Sequence, residues 1–131
     1  MSTFKATVTQ IQSEDMLNIV TFKTKNHTLK MMSLTLNTTL QVGDQVKLSV
    51  KATAVALAKE LSGMLSYSNQ VPLKIQSIDR GKLLCSLLLE DEDFTLESII
   101  TTTSVDRMNL QVKDEVTALI KSSDLSICEY L

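Results

Sequence analysis

Proteins that hold single-stranded nucleic acid need aromatic stacking platforms and a basic groove, and this sequence is poor in both. Aromatic residues are 4% of its 131 positions, tryptophan is absent, and the formal net charge at pH 7 is −2. No broad positive field is left for nucleic acid or an anionic membrane. One histidine, His27, and two distant cysteines, Cys85 and Cys128, do not supply the paired spacings of a zinc site. Nor can a nucleophile, a base and an orienting group be assembled from so few candidates. The expectation is a protein that is not an enzyme, with no catalytic residues and no direct cation ligands. Three glycines scattered at 43, 63 and 81 rule out a phosphate-cradling glycine loop. Apolar stretches such as 83–89 fall far short of the ~20 residues of a spanning helix. The opening MSTFKATVTQ lacks the charged start and apolar run of a secretory signal. A cytoplasmic chain with two buried free thiols is expected.

What the sequence does contain is a repeat. Hydrophobic residues at 44% and charged residues at 21% suffice for a core. Residues 40–57 (LQVGDQVKLSVKATAVAL) lie alongside 110–127 (LQVKDEVTALIKSSDLSI) without a gap, so that Leu40, Val42, Asp44, Val46 and Lys51 match Leu110, Val112, Asp114, Val116 and Lys121. The start of each half, 4–11 and 71–78, alternates apolar and polar residues, the period of a half-buried strand. Further strands are expected over 17–22, 28–34, 46–57, 82–89, 94–100 and 116–127, with turns between them. Short helical turns are expected over 36–40 and 104–110, the second capped by Ser104 with Asp106 in its first turn. The fold class expected is all-β: two tandem small OB-like barrel modules, each with one short helical turn. The modules are placed at 1–60 and 61–131, joined through 59–68. Units of about 60 residues bury too little surface to be stable alone, so packing together and oligomerisation are expected.

The segment 98–127 resembles the Mop (TOBE) family. It carries the hydroxyl-rich I-T-x-x-S turn as Ile100, Thr101 and Ser104, and the T-A-x-I-K-S-[ST]-D-[VL] strand as residues 117–125. The S-G-x-L-S linker at Ser62, Gly63, Leu65 and Ser66 resembles the entry to the second copy in two-module members. The resemblance implies binding of molybdate or tungstate, at sites formed between neighbouring chains of a homotrimer. It points to Thr101, Ser104, Lys121 and Ser122, with Ser66 reaching in. Physically, a tetrahedral dianion needs converging donors and one or two positive charges, because an unpaired buried dianion is prohibitively costly. Two departures stand out. The family's Ser-Ala-Arg-Asn motif reads Ser66, Tyr67, Ser68 and Asn69, so Ser68 replaces an arginine, with Lys74 or Arg80 as substitutes. In the first half the hydroxyl turn reads Lys30 to Leu34 in the ungapped register, and only Lys51 and Thr53 survive of the last-strand motif. The first module is expected to be structural, with a weakened site at Lys51.

The function expected is intracellular storage, buffering or sensing of a small oxyanion. The alternative is an oligomeric interaction protein of the same fold that has lost its ligand. No helix-turn-helix precedes the modules, so a complete transcription factor is not expected. The acidic run 90–93 is read as a solvated hairpin, His27 as a surface residue, and the six methionines as core filler.

Overall fold

Alternation of apolar and polar residues builds the first strand of each half. In β1 (Ser2–Glu14), Phe4, Ala6 and Val8 turn inward, and in β6 (Asn69–Arg80), Val71, Leu73 and Ile75 do so. A computed structural model describes residues 1–36 and 39–131. The remaining strands are β2 (Leu17–Lys23), β3 (Thr28–Ser33), β4 (Gln45–Val50), β5 (Ala56–Ala58), β7 (Leu84–Glu90), β8 (Thr95–Thr101), β9 (Glu115–Ile120) and β10 (Ser126–Tyr130). They form two five-stranded antiparallel sheets, ordered β10-β4-β1-β2-β3 and β5-β9-β6-β7-β8. The all-β class expected from the sequence is the class observed.

Each sheet takes its edge strand from the other half of the chain. The stretches 46–57 and 116–127, read above as single strands, are each broken by a 3₁₀ turn, at Ala52–Ala54 and Ser122–Asp124. The break is invisible in hydropathy because a turn of three residues returns Ala52 and Val55 to the buried side, and Leu125 likewise. Beyond the turn the chain crosses over: Ala56 pairs with Leu119, and Ser126 with Ser49. Each sheet therefore draws strands from both sides of residue 60. One continuous hydrophobic cluster runs from Phe4 through Val55 to Leu125.

The repeat holds to the level of single hydrogen bonds. Both first strands bulge at matched positions, between Val8 and Gln10 and between Ile75 and Ser77. Val8 N–H donates to Asp44 O and Ile75 N–H to Asp114 O, at 2.9 and 3.0 Å. The carboxylates of Asp44 and Asp114 each accept from the amide three residues before, Gln41 and Gln111. The early strands, however, are matched at a shorter spacing than the later ones, Thr28 against Thr95 but Gln45 against Glu115. The ungapped register thus misplaced the first-half hydroxyl turn: Ser33 and Leu34, not Lys30 and Met31, stand opposite Ile100 and Thr101. The helical turn expected over 36–40 includes residues 37 and 38, which lie outside those described.

In the second half a helix does form, α1 (Thr102–Arg107). Thr101, not Ser104, is its N-cap, accepting from Ser104 N–H at 3.1 Å, and Asp106 falls in its last turn. Thr102 hydroxyl donates to Gly81 O at 2.9 Å. Its single proton being so used, the buried Cys85 thiol, 3.3 Å away, is the donor to it. Cys128 corrects the expectation of two buried thiols: it is exposed on β10. Among the methionines Met31 is core, whereas Met64 is fully exposed in the linker and Met1 and Met16 are largely so. That linker is tied down by Lys59, whose ammonium donates to the carbonyls of Met108 and Asn109, at 3.3 and 2.9 Å, and to Asp114 at 3.1 Å. It thereby satisfies carbonyls at the C-terminal end of α1.

Candidate anion-binding site

Lys121 follows β9 with an extended backbone and precedes the second 3₁₀ turn, which no side chain caps. Opposite it, the linker enters β6. Ser66, Tyr67, Lys121 and Ser122 line one open cleft of about 240 Å³. It holds an ammonium, two serine hydroxyls and a phenol, and no carboxylate, a composition suited to an oxyanion. Three expected site residues, Ser66, Lys121 and Ser122, thus meet. Tyr67 was missed, although its place next to Ser66 in the linker motif was the signal.

The other expected residues lie elsewhere in the chain. Lys51 lines a different cleft, also about 240 Å³, with Ser123, Asp124 and Ser126. Asp124 makes that cleft a poor host for a dianion, through like-charge repulsion. The adjacent hydroxyls of Ser122 and Ser123, one motif in the sequence, face these two different clefts. Thr101 and Ser104 sit at the opposite end of β6 from Lys121. Ile120 pairs with Asn69 at the start of that strand, whereas Arg80 at its end pairs with Cys85, beside the Leu84–Thr101 pair. At the helix start, Thr101 Oγ1 donates to Ser104 Oγ at 2.9 Å, and Arg107 Nη2 stands 3.4 Å from Ser104 Oγ. Arg107 adds a cation that sequence reading passed over. The i,i+3 spacing from Ser104 on a helix was its signal.

Neither proposed substitute for the missing arginine reaches the cleft. Arg80 is held by both carboxylate oxygens of Asp106 at 2.8 Å, which raises the guanidinium pKa and lowers that of Asp106. Lys74 stands among Glu90, Asp91, Glu92 and Glu115. Ser68 is exposed, but its neighbour Asn69 is completely buried and spans the two halves. Its amide accepts from Lys30 N–H at 2.7 Å and donates to Lys30 O at 2.9 Å, satisfying the edge of β3. The matched contact on the other side is simpler: Ser2 Oγ accepts from Glu97 N–H on β8, at 2.8 Å.

Two further readings are corrected at the junction of the halves. His27 is not a surface residue: its side chain is 11% exposed, with Nε2 2.6 Å from Asp91 Oδ2 and its ring edge-on to Phe94. The acidic run is not a purely solvated hairpin, because Asp93 also accepts from Thr24 hydroxyl and from Asn26 N–H. Burial pushes the Asp91 carboxyl up, but the amides of Asp93 and Phe94 and the His27 ring outweigh it and hold it below its ordinary value.

The fold is all-β, two OB-like five-stranded sheets, and the cleft beside Lys121 is free of carboxylates. The TOBE domain model matches residues 65–127, the stretch that contributes every lining residue of the Lys121 cleft. Of solved structures, a crystal form of the cytoplasmic molybdate-binding protein ModG with molybdate bound superposes with a TM-score of 0.90. It covers 96% of this chain and 94% of its own, at 24% sequence identity. Curated relatives include the molybdenum import ATP-binding protein ModC of Brucella abortus (strain 2308) and of Brucella suis biovar 1 (strain 1330). Each is 32% identical over 78 residues, or 59% of this chain. The match spans only 22% of their length. Among the described residues no helix is long and apolar enough to cross a membrane.

Proposed function

We propose that this chain is a two-module oxyanion-binding protein that takes up molybdate or tungstate for storage, buffering or sensing in the cytoplasm. The observation that carries the reading is the carboxylate-free cleft of Ser66, Tyr67, Lys121 and Ser122, inside the segment matched by the TOBE model. The likeness to molybdate-bound ModG over nearly the whole chain supports it, as does the similarity to ModC. Binding moves the dianion from water to fixed donors, Lys121 supplying charge and the hydroxyls supplying direction. Discrimination against the smaller sulfate follows from donors held just outside the paired ends of β6 and β9, which do not collapse onto a smaller ion.

Copies assemble, as a homotrimer by the family resemblance, and no nucleic acid or membrane takes part. Since Thr101 and Ser104 lie at the far end of β6 from Lys121, they join the site from a neighbouring copy, bringing Arg107 with them in place of the arginine that Ser68 replaces. The modules 1–60 and 61–131 contribute unequally, with the Lys51 cleft weakened by Asp124.

Isothermal titration of anion-free protein tests this. Saturable molybdate heat that sulfate does not reproduce is expected, weakened about 10- to 100-fold in Lys121→Ala, the worth of a charge-assisted hydrogen bond. Lys51→Ala should leave it nearly unchanged. No heat and no thermal stabilisation in a well-folded oligomer would sink the reading in favour of an interaction protein.

A further inference from the structure

Two grooves occupy matched places on the two halves. One, of about 390 Å³, is lined by Lys5, Lys23 and Lys25 together with threonines of β1. The other, of about 610 Å³, is lined by Glu90, Asp91, Glu92 and Glu115, with Lys74. The register that aligns Thr28 with Thr95 sets Lys23 against Glu90 and Lys25 against Glu92, while Gln45 aligns with Glu115. One backbone surface is therefore presented twice with opposite charge: three ammonium groups on the first half, four carboxylates against one lysine on the second.

Among the described residues these charges find almost no partners within the chain. The ion pairs present involve the N-terminus with Glu97, His27 with Asp91, Lys47 with Glu129, Lys59 with Asp114 and Arg80 with Asp106. Only Asp91 belongs to either groove. Concentrating like charges on one surface without internal partners is unfavourable unless something opposite covers it. A surface and its charge-inverted counterpart on the same chain are complementary between copies.

We propose that the lysine groove of one copy docks onto the carboxylate groove of a second copy. This rests on the proposed function only in that both expect copies to associate. The contact is heterologous, joining different patches, so it closes a ring where the rotation between copies allows. A nucleic-acid strand is a poorer occupant, because neither groove is lined by an aromatic ring and the acidic one would repel it. A metal ion does not account for the acidic groove, since the described residues hold no group of three carboxylate, histidine or cysteine ligands arranged to bind one.

The test is the mass of the full chain in solution, by sedimentation and light scattering. Wild type is expected to associate at low ionic strength and to weaken toward about 0.5 M salt, where exposed charges are screened within a few ångströms. Reversing either groove, by Lys5→Glu/Lys23→Glu/Lys25→Glu or by Glu90→Lys/Glu92→Lys/Glu115→Lys, should weaken association by about 10-fold or more. Combining both triple reversals in one chain inverts the pair and should restore it. Thermal unfolding of each variant checks that it is folded, and the salt series on wild type stands independently of any variant. The proposal is overturned by wild type that stays monomeric at about 100 µM protein and low salt. It is equally overturned by both reversals keeping wild-type mass, or by folded combined variants that do not reassociate. Molybdate heat is a separate readout. Binding with a mass indifferent to the reversals refutes the docking alone, and the converse refutes the anion reading alone.

Discussion

The two halves share a backbone and differ in much of the chemistry that faces outward. Bulges, aspartate-closed turns, 3₁₀ turns and exchanged edge strands recur at matched positions. In contrast, Thr101, the N-cap of α1, stands where the first half has Leu34. The cleft free of carboxylates is in the second half, while the matched lysine, Lys51, shares its cleft with Asp124. What differs is thus chemistry laid over one frame, and the frame is fixed by buried positions that both halves keep apolar.

The sharpest way to break this comparison is at an aromatic contact across the halves that has no matched copy. Phe4 is buried and stacked on Phe94 with ring centroids 4.5 Å apart, whereas its counterpart Val71, also buried, is aliphatic and has no ring to stack. Phe4→Ala should cost about 3–5 kcal/mol in urea unfolding, and Val71→Ala about 2. Equal losses would mean that the stack adds nothing across the junction. Next come the paired edge contacts. Asn69→Ala leaves both the N–H and the C=O of Lys30 unpaired and should cost about 2–3 kcal/mol, against about 1 for Ser2→Ala; hydrogen exchange at Lys30 and Glu97 would read the same difference locally.

A smaller effect tests a position where the second half departs from the first for the worse. Gly43 occupies φ 97°, and its counterpart Lys113 holds φ 79°, in the left-handed region. Lys113→Gly should stabilise by about 0.5–1 kcal/mol, while Gly43→Lys should destabilise. A loss of melting temperature in Lys113→Gly would show that its side chain compensates for the strain. Smallest is the response to acid. Asp91, Asp106 and Asp114, all in the second half, have carboxyls held below their ordinary value of 3.8. For Asp114 the Gln111 amide is the main cause, followed by Lys59; for Asp106 it is the Arg80 hydrogen bond. Folded values below the unfolded one give stability that is present above that ordinary value and fades as pH falls through the lower one. Melting followed from about pH 5 down to about pH 3 should therefore show Asp114→Asn losing part of the wild-type sensitivity. An unchanged slope would contradict the assignment.

Much of this was legible beforehand. The match of 40–57 with 110–127 is real in space, residue for residue, through β4 and β9 and both 3₁₀ turns. The meeting of Ser66 with Lys121 and Ser122 was also within reach. What failed had common physical causes. Apolar continuity across Ala52 and Val55 concealed a turn, because spacing by three preserves a buried side when the strand ends. The offset changes between β3 and β4, so counting without a gap put the first-half hydroxyls on the wrong residues. His27 looked isolated because Asp91 and Phe94, its partners, are 64 and 67 residues away in sequence.

By itself the sequence determined which residues turn inward, since alternation with a period of two leaves a strand one buried face. It also set the composition: aromatic residues at 4%, no tryptophan, one histidine and a net charge of −2. Only the tertiary structure decided which sheet receives each last strand. A short strand with one apolar face pairs with whichever open edge the preceding turn directs it to, and that direction is not written in hydropathy. The same crossing decided that Lys121 and Lys51 face different clefts, and that the matched grooves carry opposite charge, because a groove is a property of three paired strands and not of any one of them.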